Sequence, residues 1–336
     1  MEYRQLGRTG VEVSALSLGC MMFGGRTTAD DAYRIIDRAI DAGINSLDTA
    51  NVYNAGKSEE ITGEALKRNG KRYGVVLATK VQGRMSPGPN GRGNSRRHIV
   101  QELERSLKRL KTDWVDILYL HRPERTTAID ETLRALDDLI RSGKVRYAGA
   151  SNYGAWQIVE SLWVAKELGL NRFVVDQSPY SLADRRVERE QIPMARTFGL
   201  AFIPWSPLGG GGLTGKYSST SNMAKGTRFG DESDPGKLER ISEGVVRIAK
   251  TLEPMAKSKG ATVAQVALAW VMQQPGVTSP LVGPRTMEQL DDNLGALGVT
   301  FTDDDLSKID AVIAPGEHAA EFHEASFAPN TYRALV

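Results

Sequence analysis

Short apolar runs alternate with stretches of helical periodicity along most of the chain. Tyr3 to Ala15 alternates in polarity and turns at Thr9–Gly10, which predicts an N-terminal hairpin. ALSLGC follows as a strand ending near Cys20. Asp30–Ala42 places Ala32, Ile35, Ile36, Ala39 and Ile40 on one helical face, with Gly43 as a suited terminator. The same alternation then repeats. Strands are predicted near 15–20, 44–48, 75–80, 116–121, 145–151, 173–178, 200–206 and 279–283. Between and after them, helices are predicted over Ser58–Arg68, Arg96–Leu110, Ile129–Ser142, Tyr153–Leu168, Val187–Thr197 and Ala261–Gln273, and Met287–Leu294 starts a final one. Most of these strands are short and continuously apolar, as strands covered on both faces are. An open doubly wound sheet is one arrangement for such units. Eight β-α units in one chain of this length fit a closed (β/α)8 TIM barrel better, as a single domain over 1–336. Two stretches break the rhythm. Residues 207–237, after the seventh strand, are rich in glycine, serine and charge; a loop that long in a compact domain is usually functional. The tail beyond Pro315 carries Phe322, His323, Phe327 and Tyr332, either draped over a barrel mouth or a loose terminus.

Composition narrows the function. The 336 residues hold 43 Lys and Arg against 41 Asp and Glu, a net charge of +2, which speaks against a nucleic-acid or membrane-surface role. Cys20 is the single cysteine, so no intrachain disulfide can form and a cytoplasmic setting is expected. The polar N-terminus lacks the apolar core of a signal peptide, and no apolar run is long enough to cross a bilayer.

In a barrel, reactive groups gather where strands end on the C-terminal rim. Asp48 ends I-N-S-L-D, Tyr53 follows five residues later, Lys80 closes VVLATK and His121 closes VDILYLH. Taken singly these are ordinary: Asp48 suits a turn, Tyr53 a surface, Lys80 a solvated strand end, His121 a structural histidine. Four reactive types at the ends of three successive strands are a stronger pattern. Reducing a carbonyl with hydride leaves a negative oxygen that must be protonated. A tyrosine hydroxyl can supply the proton, although its reference pKa is about 10. A lysine cation beside it favours tyrosinate and lowers that value, and a carboxylate paired with the lysine holds the cation in place. A histidine in reach can orient the carbonyl.

These residues resemble the aldo-keto reductase family over almost the whole length. D48-T-A-N-V-Y53 with G56-K-S-E-E60 and Gly63 resembles one family block, and Thr79-Lys80 and Y119-L-H121-R-P two more. G149-A-S-N152, Gln177, W205-S-P-L208 and G283-P-R-T286 with Gln289, Asp292 and Asn293 complete the likeness. The branch it is most similar to contains the potassium-channel β subunits and bacterial aryl-alcohol or sugar-aldehyde reductases. The resemblance implies a TIM barrel, NADP(H) as cofactor and an aldehyde or ketone as small-molecule substrate. It makes Tyr53 the acid/base, Lys80 and Asp48 its tuners, and His121 the group that positions the carbonyl. Some channel-subunit relatives lack that histidine. By the same resemblance Ser151, Asn152 and Gln177 would hold the nicotinamide carboxamide, and Trp205 would stack on the ring. Ser206, Leu208 and Lys216 would lie at the pyrophosphate, and Arg285, Gln289 and Asn293 would hold the adenosine phosphate end. Pro207, Gly210, Arg228, Gly283 and Asp292 are further cofactor-binding candidates, Asp292 as an acid that could instead accept from a ribose hydroxyl. A rival reading of the same likeness is a nucleotide-sensing regulatory subunit with slow turnover.

Gly210 to Gly215 also matches G-x-G-x-x-G, but the polar KYSSTSNM that follows is no amphipathic helix, so the stretch reads as a flexible loop able to fold over a cofactor. Cys20 reads as a small buried hydrophobe near the site. Arg92, Arg96, Arg97 and His98 read as a solvated basic face at a helix start, with an anion contact as the minor alternative.

Overall fold

A computed structural model describes residues 1–124, 126–221, 223–233 and 238–322. Eight parallel strands form one sheet: β3 (Ser17–Gly19), β4 (Ser46–Asp48), β5 (Val76–Val81), β6 (Val115–Leu120), β7 (Val145–Ser151), β8 (Phe173–Gln177), β9 (Ala201–Phe202) and β10 (Leu281–Val282). From β3 to β9 each strand pairs with the next in sequence, and β10 pairs with β3. The seam between the last two strands is bridged by the Thr278 amide donating to Phe202 O at 2.8 Å and the Leu281 amide donating to Pro204 O at 2.8 Å. The sheet is a closed (β/α)8 barrel, as the alternation of elements predicts. β1 (Tyr3–Gln5) and β2 (Glu12–Ser14) are the antiparallel N-terminal hairpin.

Strand pleating determines what the barrel holds. Ala78, Ile117, Tyr119, Val175, Ala201, Ile203 and Leu281 form one interior cluster, closed by Leu6 and Val13 of the hairpin. Side chains on one strand face recur every second residue. Stepping two residues toward the C-terminal rim leads from Ala78 to Lys80, from Tyr119 to His121, from Val175 to Gln177 and from Leu281 to Gly283. The packed interior thus ends in the polar residues of the rim.

Helices surround the strands: α1 (Ala29–Asp41), α2 (Lys57–Asn69), α3 (Arg96–Leu110), α4 (Ile129–Arg141), α5 (Ala155–Glu167), α6 (Gln191–Phe198), α7 (Glu243–Ser258), α8 (Val263–Gln273) and α9 (Met287–Gly295), of which α7 packs on α8 and on the Gly209–Thr214 turn. Glu59 of α2 is fully buried beneath the rim. It accepts from Thr79 Oγ1 at 2.5 Å and from Arg109 Nε of α3 at 2.6 Å. Thr79 points outward to this anchor while its neighbour Lys80 points inward. α2 and α3 also meet at Gly63, where an added Cβ would lie 2.4 Å from the Leu110 carbonyl carbon. Backbone cannot yield as a flexible side chain does. Gly63→Ala is therefore expected to destabilise by about 1–3 kcal/mol through overpacking, despite alanine's better helix propensity. Chemical denaturation of the variant checks this.

Several boundaries differ from expectation. The stretch over Val187–Thr197 is two elements, a 3-10 turn at Arg186–Glu188 and then α6, because Glu190 leaves helical geometry (φ −136°). α7 and α10 (Asp303–Val312) form where the sequence pattern predicts no helix. The glycine-rich stretch is not a bare loop: Gly209–Thr214 is a 3-10 turn with Gly209, Gly212 and Leu213 buried, and Gly210 and Gly211 take left-handed φ of 65° and 101°. His98 departs from the solvated basic face predicted for it. It is buried, while Arg92, Arg96 and Arg97 are exposed. Phe322 of the tail is buried under the Arg240 guanidinium; His323, Phe327 and Tyr332 lie outside the described residues.

Candidate active site

The turn carrying Tyr53 is tied down from several sides. Tyr53–Gly56 is a 3-10 turn in which Asn54 (φ 49°) and Ala55 (φ 54°) are left-handed. Asparagine tolerates that region. Asn54 Nδ2 also donates to Met21 O (2.9 Å) and Phe23 O (2.8 Å), clamping the turn to the loop after β3. Below it, Thr49 and Ser58 share a hydroxyl hydrogen bond of 2.7 Å, and Ser58 Oγ donates to Cys20 O at 2.7 Å. Cys20 is fully buried and enclosure pushes its thiol up to about 12, which matches the reading of it as a small hydrophobe.

Lys80 is fully buried and its ammonium donates to Asp48 Oδ1 and, at 3.0 Å, to Thr49 O. Asp48 Oδ2 accepts from Gln177 Nε2 at 2.8 Å, so three strands share one carboxylate. The Lys80 nitrogen lies 5.1 Å from the Tyr53 ring centre, and the His121 ring stands edge-on to Tyr53 at 5.6 Å. Asp48, Tyr53, Lys80 and His121 are thus brought together as the sequence predicts.

Their electrostatics differ from expectation in one respect. Enclosure in the barrel mouth raises the Tyr53 hydroxyl, the Lys80 cation opposes this, and the net position is above the ordinary tyrosine value. The predicted lowering by Lys80 is present as a contribution and is outweighed by desolvation. Burial, followed by the charges of Lys80 and Arg122, holds His121 well below the ordinary histidine value. It is therefore neutral at pH 7 and able to donate an N–H to a carbonyl oxygen.

A cavity of about 800 Å³ extends from this rim, the size of a pocket for a large organic ligand. Asp48, Tyr53, His121, Ser151, Asn152, Gln177, Trp205, Ser206, Pro207, Leu208, Gly210, Lys216, Arg228, Gly283, Arg285, Gln289, Asp292 and Asn293 all line it, with Lys80 beneath its floor. The amide of Asn152, itself left-handed at φ 62°, is engaged within the wall. It donates to His121 O (3.0 Å) and Ser151 Oγ (3.0 Å) and accepts from Trp205 Nε1 (3.0 Å). Ser206 is left-handed as well (φ 58°), which lets its hydroxyl accept from the Gly210 amide at 3.0 Å.

The far end of the cavity suits anions. Arg228 is depressed from the ordinary arginine value by burial first and then by the like charge of Arg240, with Arg26 adding to it. Arg228, Arg240 and Arg26 thus concentrate positive charge on one wall, with Arg26 paired to Asp231 and with Glu232 acting on Arg228. α9 points its N-terminus at the same end, capped by the Thr286 hydroxyl. The Arg285 amide donates to Gln289 Oε1 at 2.8 Å. Asp292 Oδ1 is occupied by Thr262 Oγ1 (3.0 Å) and Gln265 Nε2 (2.9 Å) from the start of α8. With an aromatic ring at one end and clustered cations at the other, the donor set fits a dinucleotide.

Sequence reasoning missed other lining residues: Met21, Met22, Arg26, Gln82 and Arg240. Gln82 was within reach of the period-2 rule, two residues past Lys80; its φ of 130° is strained for a residue with a side chain. Arg26 and Arg240 come from loops that carry no such register. Among the described residues no helix is long and apolar enough to cross a membrane.

The aldo/keto reductase family matches residues 15–314. An uncharacterized oxidoreductase of Bacillus subtilis, YrpG, is 40% identical, covering 96% of this chain and 99% of that protein. A probable voltage-gated potassium channel subunit beta of rice (Oryza sativa subsp. japonica) is 40% identical, covering 93% and 97%. The versiconal hemiacetal acetate reductase of Aspergillus parasiticus is 34% identical, covering 94% and 98%. Likeness of this degree, running from the first barrel strand past the last, places the chain in the aldo/keto reductase family, oxidoreductases of carbonyl groups.

Proposed function

We propose that this chain reduces an aldehyde or ketone to an alcohol, reversibly, with NADPH as hydride donor and Tyr53 as general acid/base. The observation that carries the reading is the Tyr53 hydroxyl set over a buried Lys80–Asp48 ion pair at the mouth of a cavity whose other end is rich in cations. A bound nicotinamide supplies the hydride. Trp205 forms the wall on which its ring would rest, with Ser151, Asn152 and Gln177 facing its carboxamide. Ser206, Pro207, Leu208, Gly210, Lys216 and Arg228 would surround the pyrophosphate. Gly283, Arg285, Gln289 and Asn293 would take the adenosine phosphate end, beside Asp292, which accepts from Thr262 and Gln265.

The residues divide the proton work by their charge states. Neutral His121 donates a hydrogen bond to the carbonyl oxygen and fixes its orientation. Tyr53, held above its ordinary value, stays protonated at neutral pH and donates its proton to the same oxygen as negative charge develops there. Lys80 then stabilises the tyrosinate, and Asp48 keeps the ammonium in place between turnovers. Tyr53 and His121 together can hold one oxygen from two sides, which is the geometry that transition-state charge requires. A panel of aromatic and aliphatic carbonyl compounds assayed by NADPH consumption tests the proposal. Turnover of at least one class is expected. Tight NADPH binding with no turnover across the panel would favour a regulatory, cofactor-sensing subunit instead.

Lys80→Met keeps the side-chain length and removes the cation. Lys80 lowers the Tyr53 value against the effect of burial, so its loss should raise that value further. Asp48, left without its partner, acts in the same direction. Alcohol oxidation requires tyrosinate, so its rising limb should move to higher pH in the variant. An unmoved limb with measurable activity would show that Lys80 does not tune the acid.

A further inference from the structure

Lys80 is enclosed by a second tyrosine in addition to Tyr53. The Tyr119 ring lies directly below the rim in the barrel interior, with the Lys80 nitrogen 5.8 Å from its centre. Tyr119 is fully buried, on β6, two residues before His121 along the same strand face. Its hydroxyl lies in reach of the Gln177 side chain, which donates to Asp48, which in turn holds Lys80. Lys80, Asp48, Gln177 and Tyr119 therefore close a ring of contacts beneath the acid. The space for the Tyr119 ring is provided from the neighbouring strand. Tyr119 pairs with Gly149 of β7, and a Cβ at Gly149 would lie 2.6 Å from two carbons of the Tyr119 ring.

We propose that Tyr119 is a positioning residue: its ring forms the lower wall of the Lys80 cradle and keeps the ammonium directed at Tyr53, with Gly149 as the clearance that allows it. A cation within about 6 Å of an aromatic face is attracted to it, more strongly where water is excluded. With that wall missing, the ammonium, still held by Asp48 and Thr49, is free to tilt into the space the ring leaves and away from the phenol. The inference rests on Tyr53 being the proton donor, as proposed above.

The test is the ionisation of Tyr53 in the full chain, read from tyrosinate ultraviolet absorbance as the difference between each protein and the same protein carrying Tyr53→Phe. Tyr119→Leu is expected to raise the Tyr53 midpoint and to lower kcat by about ten- to thirtyfold, with little change in KM. Tyr119→Phe, which keeps the ring, is expected to retain most of the wild-type midpoint. Gly149→Ala crowds the ring without removing it and is expected to move the midpoint in the same direction as Leu. It decides the matter if the Leu variant does not fold. An unmoved or lowered midpoint in the Leu or Ala variant would overturn the inference, as would a Phe variant shifted as far as Leu. Loss of the broader reading has a separate signature: a Tyr53→Phe protein that still turns over at a normal rate, whatever Tyr119 does.

Discussion

Tyr53→Phe is expected to slow carbonyl reduction by about 10²–10⁴-fold, the usual effect of removing a general acid, while cofactor affinity is retained. The substitution keeps the ring, its edge-on contact with His121 and its distance from Lys80, and removes only the hydroxyl. The alternatives on this rim are poor acids for the task. His121 is held neutral by burial and by Lys80, so it can donate a hydrogen bond but holds no readily lost proton. Lys80 is raised above its ordinary value, its ammonium kept charged by Asp48 despite the desolvation that opposes it. Cys20 is fully buried with its thiol raised. If Tyr53 is the donor, single-turnover reduction should fall with it, and NADPH titration should be unaffected. A Phe variant with near-normal turnover would mean that water or His121 delivers the proton.

Much of this site was legible in the sequence because its residues sit on strands. A buried parallel strand has one register, and once VVLATK is read as such a strand, Lys80 must lie at its rim end. The same holds for His121 after VDILYLH and for Gln177 after FVVD. What the sequence did not reveal depends on contacts between distant elements. Asp48 and Gln177 are 129 positions apart and share a hydrogen bond. Glu59 reads as one of two adjacent acids on a helix, yet Thr79 and Arg109 make it the anchor of two helices and a strand. The net position of the Tyr53 hydroxyl is out of reach of the sequence for a related reason. The proximity of Lys80 is a local inference, whereas the extent of desolvation is set by the whole barrel mouth. The unanticipated helices are a different case. α7 carries Pro254 inside it and follows the long polar segment, which masks its apolar spacing at Val245, Ile248, Ala249 and Leu252. α10 begins with three aspartates and buries only Ile309, which leaves little periodicity to detect, although its Thr302–Asp305 capping box was readable.

Arg285→Ala is expected to weaken NADPH binding by about ten- to a hundredfold, the equivalent of roughly 1.5–3 kcal/mol for one charge-assisted contact, and to leave NADH affinity nearly unchanged. The two cofactors differ only by the 2′-phosphate, so the comparison isolates the group that reads it. Arg285 begins the turn into α9, where backbone donors and the helix dipole already favour an anion. Its guanidinium reaches Gly226 O only at 3.4 and 3.5 Å, long contacts that a phosphate would readily replace. Its backbone amide donates to Gln289, a contact that survives the substitution and keeps the turn in shape. The rival reader of this end is Asp292, since an acid here could accept from a ribose hydroxyl and favour NADH. Asp292 Oδ1 is already committed to Thr262 and Gln265 at the start of α8, which ties that carboxylate to helix packing. Titrating both cofactors into wild type and variant, followed by quenching of tryptophan fluorescence from Trp205 in the cavity wall, measures the four affinities. A loss confined to NADPH assigns the phosphate to Arg285. Equal losses for both would place Arg285 against a part of the cofactor that the two share.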